Sequence, residues 1–101
     1  INIPGKELLG KVMCCGEKSG SKVDKFKECG LTPLPGKRIR SPSVAECIMN
    51  IECKKLDTLE KGDHVWFLGQ VVHADVAADY DHTQALLHRD GEFWRIGEAL
   101  K

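Results

Sequence analysis

A chain of 101 residues suits one domain, residues 1–101, and a domain of this size buries roughly 65% of the surface its unfolded form exposes. Fifteen basic and fifteen acidic residues cancel to zero net charge, 42% of residues are hydrophobic, and this balance excludes a disordered chain. No apolar run approaches the ~20 residues of a membrane span, so a membrane is not an expected partner.

No basic-plus-apolar leader opens the chain, and a first residue of Ile rather than Met leads to the expectation of a processed chain or a fragment. Ile3-Pro4 opens a helical pattern, with Leu8, Leu9, Val12 and Met13 at helix spacing, Pro4 in the first turn and Gly16 as the stop. The stretch "CGEKSGSKVDKF" then sets several small residues directly before a charged and aromatic turn. A capped helix needs one serine, whereas a loop this permissive lets the backbone approach a ligand. A second helix is expected over 21–29, capped by Ser19 or Ser21, with Val23, Phe26 and Cys29 on its apolar face and Gly30 at its end. "LTPLPGKRIRSPSV" holds Pro33, Pro35 and Pro42 and reads as an extended connector.

The period then changes to two. A long strand is expected from Val44 to Leu59, where Ala45, Cys47, Met49, Ile51 and Cys53 alternate with Glu46, Asn50, Glu52 and Lys54. Ile48 is apolar on the second face, which suggests partial cover there. "EKGD" is a turn and "HVWFLGQVVHADVA" a returning strand, in which Gly69 marks a bulge or a close backbone approach. "DYDHTQ" is a loop. "ALLH", "RDGE" and "FWRIG" form a last hairpin with Asp90-Gly91 in its turn. Two helices followed by at least four antiparallel strands make an α+β fold, mainly β, with open edges that something must cover.

Charge is unevenly placed. Lys18, Lys22, Lys25, Lys27, Lys37, Arg38 and Arg40 against Asp24 and Glu28 give residues 18–40 a net +5, so the remainder carries −5. Such asymmetry can steer an anionic ligand, and the alternative is a solvated helix face. Nucleic acid is not expected, because no strand interleaves aromatic with basic residues. Five cysteines without a CxxC pair argue against a disulfide framework and against zinc. Cys47 and Cys53 share a strand face and are expected to be buried, in a reducing, cytoplasmic setting. Cys15, beside the glycine loop, is the one candidate redox thiol. His73, His82 and His88 show no metal spacing, and no metal is expected.

"INIP", "CGEKSGSKVDKFKECGLTPLPGK", "SPSVAECIMNIECKK", "GDHVWFLGQVV" and "LLHRDGEFWRIGE" occur in one order along the whole chain. Together they resemble the flavin reductase-like, or flavoredoxin-like, family of FMN-binding antiparallel split β-barrels. The resemblance covers the C-terminal two-thirds of that fold. Further strands precede "INIP" in the family and carry much of the flavin contact, so the N-terminal strands of the barrel are expected to be missing here.

The resemblance implies a flavoprotein that moves hydride from NADH or NADPH to FMN, an NAD(P)H:flavin oxidoreductase. It equally implies a flavoredoxin-type electron carrier, and a third possibility is a cofactor-free fragment with a structural role. By the same resemblance, Ser19 and Gly20 would let the backbone approach the cofactor. Lys22 and Lys25 would supply positive charge, and Asp24 would bond locally and orient Lys25. His64 would lie near the nicotinamide side, with Phe93 and Trp94 along the approach. The alternatives are a capped loop, a turn histidine bonded to Asp63, and aromatic core residues. Family members are homodimers with flavin at the subunit interface, so pairing with a second copy or with the preceding segment is expected.

Overall fold

The computed structural model describes every residue from Ile1 to Lys101. β1 (Asn2–Ile3) leads through a 3-10 turn (Lys6–Leu8) into α1 (Leu9–Glu17). The helix therefore starts later than Ile3-Pro4 predicts, because Ile3 pairs with Met49 and its carbonyl accepts from the Ile48 amide at 2.9 Å. Gly16 lies inside α1, which ends where Lys18 turns extended.

α2 (Lys25–Cys29) is shorter than predicted, and neither serine caps it. The Asp24 carboxylate does, accepting from the amides of Phe26 at 3.0 Å and Lys27 at 3.4 Å. A carboxylate also meets the positive end of the helix dipole, which a hydroxyl does not. Ser19 and Ser21 instead join each other, Oγ to Oγ at 2.8 Å. Gly30, at φ +67°, closes α2 as expected.

The proline-rich connector is extended, and it folds back as two short paired strands, β2 (Pro33–Leu34) and β3 (Ser43–Val44). Gly36 is required at its turn, since a Cβ there would stand 2.2 Å from the Ile39 carbonyl oxygen. β4 (Met49–Lys61) begins five residues later than predicted, because Val44 is taken by β3 and the chain turns through Ala45–Ile48. β5 (His64–Val76) returns as expected. Two bulges bend the β4–β5 hairpin, leaving Leu56 extra on one strand and Val72 on the other. Gly69 marks a close approach, for its Cβ would lie 3.0 Å from that of Cys53. β6 (Leu86–Arg89) and β7 (Glu92–Arg95) close through Asp90 and Gly91, both at positive φ, the geometry a two-residue hairpin turn needs.

The sheets are β1-β4-β5, β2-β3 and β6-β7, with every pairing antiparallel and none closed into a barrel. The fold is α+β, mainly β. Its buried centre is small: Gly5, Cys29, Val44, Cys47 and Glu52. Cys53 is only half-buried, contrary to expectation. The argument against a disulfide is also overturned, since Cys14 and Cys29 are bonded. The α1–loop–α2 hairpin brings their Cα atoms to 5.8 Å, a proximity that spacing along the chain does not encode.

The exposed area is 8169 Å². A compact monomer of this mass exposes about 5,700 Å² and its unfolded chain about 16,000 Å². The chain thus buries about half of its surface rather than the roughly 65% that length suggests. The radius of gyration, 14.9 Å, likewise exceeds the ~13 Å of a compact chain of this length. The excess lies on the outer β4–β5 hairpin, where Leu56, Leu59, Trp66, Phe67, Leu68 and Val71 are all exposed.

Candidate functional site

The loop between α1 and α2 is held at both ends. Lys25 Nζ, reaching back from α2, donates to the Cys15 carbonyl near the end of α1 at 2.8 Å. Lys11 Nζ, reaching forward from α1, donates to the Gly30 carbonyl at the end of α2. Each ammonium thus satisfies a helix C-terminal carbonyl of its neighbour, where the dipole favours a cation. Cys14–Cys29 adds a covalent tie. Between these ties the Lys22 and Val23 amides donate to the Ser19 carbonyl, at 3.0 and 3.1 Å, and Ser19, Gly20, Ser21 and Lys22 are exposed.

Of the residues singled out on this loop, Ser19, Gly20 and Lys22 present a hydroxyl, open backbone and an ammonium to solvent. A Cβ on Gly20 would meet only Lys25 Cε, at 3.9 Å, so nothing within the chain requires glycine there. Asp24 is committed to its cap. Lys25 is half-buried, with its ammonium on Cys15.

His64, Phe93 and Trp94 lie elsewhere. His64 follows the Gly62-Asp63 turn at the tip of the β4–β5 hairpin, and its Nδ1 meets Asp63 Oδ1 at 2.6 Å. Its side chain is 80% exposed. The full length of β5 separates it from Val76, the end at which β4 adjoins β1. The loop 18–24 belongs to that far end, because Val12 and Cys15 share a cavity of about 390 Å³ with Val44 and Cys47. Phe93 is half-buried against His88, ring centroids 5.0 Å apart, and Trp94 is 53% exposed rather than core. Their hairpin is joined to the N-terminal segment by the Gly5–Ala85 bridge, not to the His64 turn. One chain therefore does not assemble the two groups of residues.

Sequence reasoning missed a third feature. Glu52, read as one of the polar residues of a partly covered strand face, is buried beneath the connector. Its Oε1 accepts from the amides of Arg38 at 2.7 Å and Ile39 at 3.0 Å, and its Oε2 from Lys37 at 2.9 Å. These bonds, Arg38 foremost, hold its carboxyl below the usual range. His73 stands opposite it on β5, with Nε2 2.9 Å from Asp75 Oδ2. A cavity of about 500 Å³ opens beside this loop, lined in part by Lys37, Asn50 and Asp75. The only sequence signal was the half-apolar second face at Ile48, which marked this side of the strand as covered. Thr32 and Glu46 make a similar anchor, through the Thr32 amide at 2.8 Å and its hydroxyl at 2.7 Å.

A family model described as the flavin reductase like domain matches residues 1–97. The chain belongs to this family. An uncharacterized protein of Archaeoglobus fulgidus is 37% identical over 73 residues, which is 72% of this chain and 41% of that protein. One of Pyrococcus abyssi is 39% identical over 72 residues, 71% of this chain and 41% of that protein. Among solved structures, the flavoredoxin of Desulfovibrio vulgaris (Miyazaki F) superposes with TM-score 0.88 at 28% identity, over 100% of this chain and 60% of that one. The flavoredoxin of Methanosarcina acetivorans gives 0.81 at 27%, over 99% and 58%. The NADH:FAD oxidoreductase SgcE6 of Streptomyces globisporus shares the fold at TM-score 0.77 and 22% identity, over 96% and 55%. The chain thus spans about two-fifths of the curated relatives and three-fifths of the solved ones. It carries a flavin reductase-like domain. No helix is long and apolar enough to cross a membrane.

Proposed function

We propose that the complete protein binds FMN and takes hydride for it from NADH or NADPH. FMN, when bound, supplies the hydride-accepting chemistry, and the protein supplies binding, orientation and charge. The observation that carries this reading is the pinned, solvent-facing loop 19–22 within a flavin reductase-like domain. Its donors fit the group: the Ser19 and Ser21 hydroxyls, the unpaired Lys22 ammonium and the open backbone at Gly20 suit phosphate or ring oxygens. Lys25 acts by fixing the loop rather than by direct contact, since its ammonium is on the Cys15 carbonyl. His64, fully reachable and held by Asp63, is the residue positioned to meet a nicotinamide.

Loop 19–22 and His64 lie at opposite ends of one chain, which favours a site completed by a second copy packed on the exposed β4–β5 face. A flavoredoxin-type carrier is the second reading, favoured by the 28% and 27% identity to two flavoredoxins. Stopped-flow reduction of the full-length, FMN-loaded protein by NADH and NADPH separates the two. Rapid bleaching of the flavin supports the reductase, whereas bleaching only through a protein electron donor supports the carrier. In the reductase, His64→Ala is expected to slow reduction about 10- to 100-fold, the worth of one charge-assisted contact, with FMN affinity nearly unchanged.

A further inference from the structure

The flavin reading uses the loop between α1 and α2 and leaves its closing bond unused. We propose that Cys14–Cys29 is a second, reversible two-electron site that exchanges with an external dithiol through the Cys14 sulfur. This inference does not depend on flavin binding.

The two cysteines are unequally exposed. Cys29 is 7% exposed, while Cys14 is half-buried. An attacking thiolate needs an open path to the sulfur it strikes, so attack falls on Cys14 and Cys29 leaves. Lys11 Nζ donates to the carbonyl of Gly30, the residue after Cys29, and so holds the Cys29 end of the bond in place.

The hairpin does not rest on the bond alone, since the Lys11–Gly30 and Lys25–Cys15 hydrogen bonds and the Asp24 cap also hold it. With these ties keeping the two thiols close, re-oxidation is an intramolecular step. Cys15 is a free thiol outside this bond and lines a cavity with Val12, Leu31 and Cys47.

The step balances. A thiolate of the dithiol bonds to Cys14 Sγ as the Cys14–Cys29 bond breaks, and Cys29 departs as thiolate. The dithiol's second thiolate then attacks its own partner sulfur in the mixed disulfide and releases Cys14. The dithiol leaves as a disulfide, oxidised by two electrons, and its two protons end on Cys14 and Cys29.

The test uses the full-length protein in graded mixtures of reduced and oxidised dithiothreitol, followed by alkylation and mass spectrometry. Cys14 and Cys29 should gain label together in one two-electron transition, with amide protection of residues 26–31 retained in the reduced form. In single variants, Cys14 in Cys29→Ser should react with an aromatic disulfide at least roughly tenfold faster than Cys29 does in Cys14→Ser. The inference is overturned if the pair stays unlabelled until the protein is denatured, if both are thiols in every mixture, if reduction abolishes the amide protection, or if Cys29 reacts as fast as Cys14. The wild-type titration stands even if a variant fails to fold.

Discussion

Asp24 sets the start of α2, because two amides of the first turn converge on its carboxylate. Asp24→Ala is expected to cost about 1 kcal/mol of stability, as loss of an N-cap does, and thermal unfolding measures it. An unchanged melting temperature would mean that a serine takes over the cap. Gly36 is fixed by space: the carbonyl oxygens of Ile39 and Ser41 lie 2.2 and 2.8 Å from where a Cβ would stand. Backbone cannot yield as a side-chain end can, so Gly36→Ala should destabilise by roughly 1–3 kcal/mol. Glu52 carries the same loop through its charge. Its carboxyl is held low, so its contribution is complete above the ordinary carboxylate range and is lost as pH falls through the depressed folded value. Amide protection factors at Lys37, Arg38 and Ile39 should therefore be high at neutral pH and collapse in acid, and equal protection at about pH 3 would refute the assignment. Of these three residues, only Asp24 was singled out by the sequence, and for a different task. Glu52 acts on a segment 13 to 15 residues away, a pairing of which a one-dimensional pattern gives no sign, and Gly36 is fixed by carbonyls that only the folded turn brings close.

Periodic elements were legible where one local rule decides them. β5 is dense in valine and aromatic residues between a tight turn and a polar loop, and Asp90-Gly91 can hardly be other than a hairpin turn. Boundaries set by distant partners were not legible. β4 starts late because β3 claims Val44, and α1 starts late because β1 claims Ile3. The candidate loop was recognisable from its small residues, but its two lysine ties and its disulfide appear only once α1 and α2 are placed together. Gly69 shows the middle case: the sequence marks a close approach, and the structure supplies the neighbour, Cys53. Gly69→Val would push against the Cys53 Cβ, 3.0 Å from the new atom, and should cost roughly 1–3 kcal/mol of stability with the hairpin register unchanged. Loss of the cross-strand contacts on both sides of residue 69 in NMR spectra would show instead that the bulges had moved.

At the scale of the molecule, about 2,500 Å² more surface is exposed than a compact monomer of this mass would show. That area is of the size obligate interfaces bury, and it is apolar where Trp66, Phe67 and Leu68 stand side by side. The chain is therefore expected to self-associate at micromolar concentration, and Phe67→Asp should weaken that association at least tenfold by sedimentation. A compact monomer with no tendency to pair would refute the reading of this face.

The anchoring of the basic connector on Glu52 also shapes how ligands arrive. That carboxylate spends its lone pairs on backbone amides, so it does not pair with the side chains of Lys37, Arg38 or Arg40. None of these three, nor Lys18, Lys22 or Lys27, takes part in an ion pair. The molecule is neutral overall, yet residues 18–40 carry a net +5, and this concentration of cations attracts anions from a distance. Capture of a phosphate-bearing ligand should accordingly be fast at low ionic strength. It should slow as added salt shortens the Debye length from about 30 Å at 0.01 M to about 8 Å at 0.15 M, while the rate of escape stays nearly constant.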